Sequence, residues 1–292
     1  MKKHSLLIAG MGDIGRRIAT VHPEVRMLGV ARSPESAALA RASGALPVSA
    51  DLDRRSSLTR LAGLSPWVLH LAPPPTDSEG DSRTRHLIAA LGKRGSLPRR
   101  LVYISTSGVY GNCNGERVFE HRPTSPKNAR ARRRVDAERQ LRRFAARNGI
   151  KLAILRAPGI YAADRLPLER IGKQTPAVRS DEDSYTNHVH ADDLARLAWL
   201  ALFRGKNNRV YHAVDDSVKK MGDYFDMVAD HFGLPRPPRI SRAEAQKVLS
   251  PALLSFLNES RILDNTRLKQ ELRAELKYPD VADFLKRLPA RA

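Results

Sequence analysis

The stretch HSLLIAGMGDIGRRIATVHP, residues 4–23, constrains the chain more than any other: an apolar run, then glycines at Gly10, Gly12 and Gly15, then a helical pattern that stops before Pro23. A short apolar run closed by glycine predicts a buried strand and a turn, and the residues after it predict a helix. Glycines spaced G-x-G-x-x-G permit a tight turn, a close backbone approach to a pyrophosphate, and close packing of helix on strand. The N-terminus of the helix then faces the phosphates. The spacing alone is a weak signal, and glycines can simply make a turn. Its position between a first strand and a first helix, inside a βαβ unit, favours a dinucleotide site, with Asp13 and Ile14 inside the motif as further candidate cofactor contacts.

The rest of the chain repeats that unit. VRMLGVAR (25–32) reads as a second strand, and SPESAALARASG (33–44) as a helix capped by Ser33, with Pro34 at its first position and Gly44 at its end. LPVSADL (46–52), a helix around 55–63, the strand WVLHLAP (67–73), the helix SRTRHLIAALGKRG (82–95), the strand RRLVYIST (99–106) and, after an arginine-rich helix, the strand KLAILRAPGIY (151–161) follow. Strands alternating with helices of this length predict an α/β fold with a doubly wound parallel sheet, the Rossmann architecture. The C-terminal part, from about residue 216, is mostly helical by pattern: SRAEAQKVL, PALLSFLNES, then NTRLKQELRAEL with Asn265 as its cap, and a last helix with Val281, Phe284 and Leu285 on its apolar face. GLPRPPRIS (233–241) reads as an ordered connector.

Composition narrows the classes of function. A 292-residue chain that is 41% hydrophobic can bury a large core. The most apolar candidate span, LARLAWLALF (194–203), is short and carries Arg196, so no membrane segment is expected. The N-terminal apolar stretch ends at Asp13 without a small-residue cleavage site, which predicts a cytoplasmic protein. A single cysteine, Cys113, excludes an internal disulfide and suits a reducing compartment. The net charge of +20 attracts nucleic acid, anionic surfaces or phosphorylated ligands. Nucleic acid is disfavoured because the arginines spread over most of the chain and aromatics are only 5%, with no stacking pattern.

At the end of the second strand stand Arg32 and Ser33, where a cofactor lacking a 2′-phosphate usually meets an acidic residue. An arginine beside a hydroxyl suits a 2′-phosphate, so NADP is favoured over NAD. The competing reading makes Arg32 one more surface arginine.

The glycine turn, LHLAP, YISTSGVYG (103–111), SPKNARARRRVDAE, LAILRAPGIYAADR (152–165) and NHVHADDLARLAWLAL (187–202), in that order, resemble the extended short-chain dehydrogenase/reductase superfamily. Within it the chain is similar to nucleotide-sugar epimerases and dehydratases. The resemblance implies a Rossmann domain at 1–162 and 186–215 and a smaller substrate lid at 163–185 and 216–292. It carries the cofactor glycines onto Gly10, Gly12 and Gly15, with Ala9 where a first glycine is usual. Asp51 takes the place of the acidic residue that meets the adenine, Leu71, Ala72 and Pro73 take the fourth-strand loop that lines the cofactor, and Thr106 takes the hydroxyl at the reacting carbon.

The family's Tyr-x-x-x-Lys pair, aligned on Glu138, falls on Arg130 and Arg134. A guanidinium does not deprotonate in proteins, so Arg130 cannot replace a tyrosine as general acid/base. Being four apart, the two arginines share one helix face. If that face lines the cleft, the site is cationic and suits an anionic substrate. If it does not, all five arginines of residues 125–141 are solvated. Arg132 and Arg133 are expected to face solvent. The positions of the dehydratase acid pair hold Ser107 and Gly108, which argues against dehydration. Tyr161 is kept as a candidate replacement acid, and Tyr110 is weighed beside it; for both a structural role is the alternative. His188 and His190 superficially resemble a metal pair, but no metal is expected, and Asp192 or Asp193 is expected to cap the next helix. Arg261 is a candidate for a substrate phosphate or carboxylate.

Two functions remain open. One is an atypical NADP-dependent reductase or epimerase-like enzyme on an anionic or nucleotide-linked small molecule, with a homodimer through the helices flanking the fifth strand as the family implies. The other is a non-catalytic NADP(H)-binding structural or sensor protein.

Overall fold

Seven parallel strands form the central sheet: β1 (Ser5–Ala9), β2 (Arg26–Ala31), β3 (Leu46–Ser49), β4 (Trp67–His70), β5 (Arg100–Thr106), β6 (Lys151–Ala157) and β7 (Arg209–His212). Their spatial order is β7-β6-β5-β4-β1-β2-β3. The structure is a computed structural model that describes residues 5–93 and 97–289. His4 of the expected first strand, residues 94–95 of the expected third helix and residues 290–292 of the expected lid lie outside these.

Because successive strand residues point to opposite faces, each apolar run feeds two cores. Leu6, Ile8, Met27, Leu69, Val102 and Leu155 pack on one face with α1 (Asp13–Val21), α2 (Pro34–Ala42) and the helix Ala191–Arg204. Leu7, Leu28, Val68, Leu101, Tyr103 and Ile154 pack on the other with α3 (Ser82–Leu91) and α4 (Ala129–Asn148). Helices on both faces of a parallel sheet make the doubly wound α/β architecture. A third apolar core joins Tyr161, Leu166 and Ile171 to Tyr224, Phe225, Val281, Phe284 and Leu285.

Local signals explain most element ends. Ser33 caps α2 in a reciprocal capping box with Ser36, with Pro34 in the first turn. The segment expected as a helix at 55–63 is a 3-10 helix, Arg55–Leu61. Two expected caps are corrected. The helix Ala191–Arg204 is capped by the His190 ring, whose Nδ1 accepts the Asp192 N–H at 3.1 Å, while the buried Asp193 carboxylate takes the N–H groups of Lys277 and Tyr278. Asn265 holds the N-cap position of Thr266–Leu272 but its side chain makes no cap hydrogen bond: its amide donates to the Val214 carbonyl at 3.1 Å, and the Asp264 carboxylate accepts the Thr266 N–H. That helix ends at Leu272, short of 276, because Arg273 turns into the left-handed region with φ 48°. Leu268 and Leu272, four apart, are fully buried in the sheet core, so this piece of the expected lid packs on the central sheet. Among the described residues no helix is long and apolar enough to cross a membrane, and no group of His, Cys, Asp or Glu could hold a metal ion.

Candidate functional site

The strand order reverses between β4 and β1, and in open α/β sheets the crevice at such a point, beyond the carboxyl ends of the strands, is where ligands bind. The glycine turn lies there. Gly10 has φ +112°, and a Cβ on it would lie 2.4 Å from the Ala72 backbone nitrogen. A Cβ on Gly15 would lie 2.8 Å from the Gly10 carbonyl oxygen, whereas one on Gly12 would meet nothing within 4 Å. Two glycines therefore serve close packing, and the third keeps the space open above the N-terminus of α1. This cradle fits a dinucleotide pyrophosphate.

Beyond it runs a groove of about 350 Å³ lined by Gly10, Gly12, Arg32, Asp51, Ala72 and Pro73, all expected cofactor contacts. Three polar residues that the sequence did not single out, Ser36, Asp53 and Arg83, share the wall with apolar side chains such as Val30 and Leu52. Arg83 grips Asp53 with two hydrogen bonds of 2.7 Å, and this ion pair holds the Asp53 carboxyl below its ordinary range. Other expected cofactor contacts point elsewhere. Ser33 spends its side chain on the α2 cap, so Ser36 replaces it on the groove wall. Asp13 pairs with Arg17 at 2.9 Å and Arg165 at 3.1 Å. Ile14 and Leu71 pack against the sheet core.

A second cleft, of about 320 Å³, opens over the ends of β5 and β6. Thr106, Arg130, Arg134 and Arg261 line it together, although 155 positions separate the first from the last. The Gly108 N–H donates to Thr106 Oγ1 at 3.2 Å, which leaves the hydroxyl proton free to donate. Arg134 donates to the Ile104 carbonyl at 2.7 Å and the Tyr103 hydroxyl at 3.0 Å, so its guanidinium is fixed beneath the cleft. Burial pushes the Tyr103 hydroxyl up, and it stays protonated. Arg130 lies over the Phe256 ring at 4.7 Å. Arg261 is 8% exposed, and donates to the Gly111 carbonyl at 2.8 Å and to Glu259 at 3.0 Å. Tyr185, His188, Ser105 and Glu259 share the wall and carried no recognisable signal except the histidine spacing. Burial pushes His188 down to about 4, so its ring is neutral.

The structure separates other expected residues from this cleft. Tyr161 is 1% exposed among His188, His190 and Phe284, in the third core, and burial pushes its hydroxyl up. It does not line the cleft, because its turn of strand, Gly159–Tyr161, points Ile160 toward the cleft instead. Tyr110 is held by His212 at 2.6 Å and Arg156 at 2.7 Å. Arg132 is exposed as expected, but Arg133 is buried and donates to the Ser78 carbonyl at 3.0 Å, because loop 78–81 covers that side of α4.

Residues 6–214 match the sequence model of a family described as the NAD dependent epimerase/dehydratase family. No curated protein matches the sequence. Among solved structures, a functionally unknown conserved protein from Silicibacter pomeroyi superposes with a TM-score of 0.80 at 29% identity over 97% of both chains. A UDP-glucose 4-epimerase from Thermotoga maritima, solved with UDP-glucose, gives 0.76 at 20% identity over 97% of this chain and 96% of that one. A dTDP-glucose 4,6-dehydratase from Streptomyces venezuelae, solved with NAD, gives 0.77 at 18% identity over 97% of this chain and 95% of that one. The last two likenesses speak to the fold.

Proposed function

Since the chain belongs to the NAD dependent epimerase/dehydratase family, we propose that it is an NADP-binding oxidoreductase or epimerase-like enzyme acting on an anionic or nucleotide-linked substrate. The observation that carries this reading is the convergence of Arg130, Arg134 and Arg261 with Thr106 on one cleft at the carboxyl edge of the sheet. Three guanidinium groups in a half-enclosed site attract and orient an anion far more strongly than they do in water. The nicotinamide, when bound, supplies hydride chemistry. In this reading Arg134 holds the ribose, Thr106 donates to a substrate oxygen, and Arg130 neutralises charge without moving a proton. In this reading the neutral His188 ring or the Tyr185 phenol, both on the cleft wall, exchanges a proton with the substrate. The segments 163–185 and 216–292, apart from the helix Thr266–Leu272, form the lid in this reading, and α3 with α4 form the face of a homodimer.

Arg32, the residue that follows β2, is exposed on the wall of the cofactor groove, which supports NADP over NAD. Fluorescence titration of cofactor-stripped protein is expected to show saturable NADPH binding that survives moderate salt and exceeds NADH binding. Arg32→Ala is expected to weaken NADPH about 10- to 100-fold, the worth of charge-assisted hydrogen bonds to one phosphate, and to leave NADH unchanged. Equal affinity for the two nucleotides would remove the preference for NADP.

The arginine at the tyrosine position favours the second reading, a non-catalytic NADP(H)-binding protein. The two readings part on Arg130→Tyr, assayed for NADPH-dependent turnover on nucleotide-sugar substrates. An enzyme that uses Arg130 electrostatically loses turnover in the variant. A protein whose site has lost its acid gains turnover that the parent lacks.

A further inference from the structure

Among the described residues lining the Thr106 cleft, Glu259 is the one carboxylate against three guanidinium groups. It is nearly buried, with 11% of its side chain exposed, and it is held from two sides. One oxygen accepts from Arg261 Nη1 at 3.0 Å, and the other accepts from the Asn128 side-chain amide at 3.2 Å. Asn128 is the N-cap of the twenty-residue helix α4, so the carboxylate rests near the positive end of a helix dipole.

The grip on Arg261 is incomplete. Glu259 takes a single Nη1 donor, Nη2 reaches Ser107 Oγ at 3.4 Å, and Nε is buried with no partner among the described residues. Two more buried atoms on the same wall, Ser105 Oγ and His188 Nδ1, are likewise unpartnered. Ser105 is 3% exposed and His188 5%. Buried polar groups in native proteins are paired as a rule, and a set of orphans on residues that line one cleft points to a ligand that supplies missing partners. An arginine binds an oxyanion best through two parallel N–H donors of its planar fork, which Glu259 does not engage.

We propose that Glu259 is an internal counter-anion that occupies Arg261 in the ligand-free cleft and yields it to the anionic group of the substrate. The incoming oxyanion takes the fork of Arg261, and Glu259 withdraws to Asn128 and the N-terminus of α4. Three guanidinium charges less one carboxylate leave two positive charges, which a phosphate dianion neutralises without expelling Glu259 from the cleft. The anion is therefore a phosphate and not a lone carboxylate. The inference rests on the reading of this cleft as the substrate site.

The test is calorimetric titration with inorganic phosphate, and separately with acetate, at constant ionic strength and in saturating NADPH, so that the cofactor groove is filled. Glu259→Gln keeps the shape and removes the charge, and is expected to bind phosphate about tenfold more tightly than the parent. Glu259→Asp, one methylene shorter, is expected to tighten binding as well, and stands in if the glutamine variant does not fold. Arg261→Lys, which has no fork, is expected to weaken it at least tenfold. Glu24→Gln, an exposed change of equal charge just before β2, at the opposite end of the strands, is expected to leave it unchanged. Equal or weaker phosphate binding by Glu259→Gln overturns the proposal, as does a preference for acetate. NADPH binding with no phosphate response overturns this inference alone, whereas loss of both overturns the functional reading beneath it.

Discussion

Replacing Glu138 with alanine is expected to cost about 3–5 kcal/mol of folding stability, the range for stranding one partner of a buried ion pair. Glu138 on α4 receives Arg156 of β6 through two hydrogen bonds, Nε to Oε1 at 3.1 Å and Nη2 to Oε2 at 2.7 Å, and each side chain is 5% exposed. Burial by itself disfavours the Arg156 charge, but the hydrogen bonds and charge of Glu138 outweigh it and raise its pKa. Arg156 also donates to the Tyr110 hydroxyl at 2.7 Å and lies over its ring at 4.7 Å. The Tyr110 hydroxyl is in turn 2.6 Å from His212 Nε2, and His212 Nδ1 faces the Asp264 carbonyl at 2.8 Å. A carbonyl only accepts, so Nδ1 carries the proton and Nε2 accepts from the tyrosine. Burial pushes His212 down to about 3, which keeps that ring neutral. The chain thus joins α4, β6, β7 and the turn Ser107–Tyr110 that forms the cleft wall. Urea unfolding of Glu138→Ala checks the cost, and a loss below about 1 kcal/mol would show that the pair does not form. The double variant Glu138→Leu, Arg156→Met is expected to recover much of the loss, because an apolar pair leaves no charge buried alone.

The sheet was legible because its signals are local. Six apolar runs bounded by glycine, proline or a capping residue gave six of the seven strands, the run 151–161 ending its sheet strand at Ala157, and the Ser33–Pro34 start of α2 needs only neighbours three residues away, whereas the edge strand Arg209–His212, four residues with polar ends, was not legible. Element ends were less legible where a tertiary partner decides them, as at Asn265, whose amide is claimed by the Val214 carbonyl across the fold. The arginine-rich helix shows the same limit. Helical spacing placed Arg130 and Arg134 on one face, and the structure brings both to the cleft. Nothing in the spacing distinguished Arg132, which stays in water, from Arg133, which is buried against loop 78–81. The helix is therefore no single cationic ridge, since its arginines serve the cleft, a loop carbonyl and solvent separately.

Residues of the site were legible when they sit at the end of a strand, as Thr106 does, or in the turn directly after one, as Gly10, Gly12, Asp51 and Ala72 do. Asp13 and Tyr161 sit beside such turns, yet Arg165 and the third core turn their side chains away. Arg83, Asp53, Tyr185 and Glu259 reach the grooves from segments far apart in sequence, and among fifty-one basic residues charge alone could not rank Arg83 or Arg261.

The glycine turn supplies the sharpest contrast between fold and function. Gly10→Ala forces a Cβ to within 2.4 Å of the Ala72 nitrogen and 2.9 Å of the Leu71 carbonyl carbon, both backbone atoms that no rotamer change can move. The same substitution holds an L-residue at φ +112°, outside the allowed regions. The clash falls where Leu71 and Ala72 both donate their N–H groups to the Ala9 carbonyl, at 2.8 and 3.0 Å, so relief must separate the ends of β1 and β4. Strain and overpacking together are expected to cost about 3–5 kcal/mol and to abolish nucleotide binding with the fold. Gly12→Ala meets nothing within 4 Å and sits at φ −72°, ψ −161°, extended backbone that alanine accepts, so its unfolding free energy is expected to stay within about 0.5 kcal/mol of the parent. Its methyl group nevertheless occupies the space above the N-terminus of α1 that a pyrophosphate needs, and NADPH affinity is expected to fall at least about tenfold. Paired unfolding and NADPH titrations of the two variants separate the roles. A Gly12→Ala protein that is stable and binds NADPH like the parent would place the phosphates elsewhere, and with them the whole orientation of ligand across the sheet.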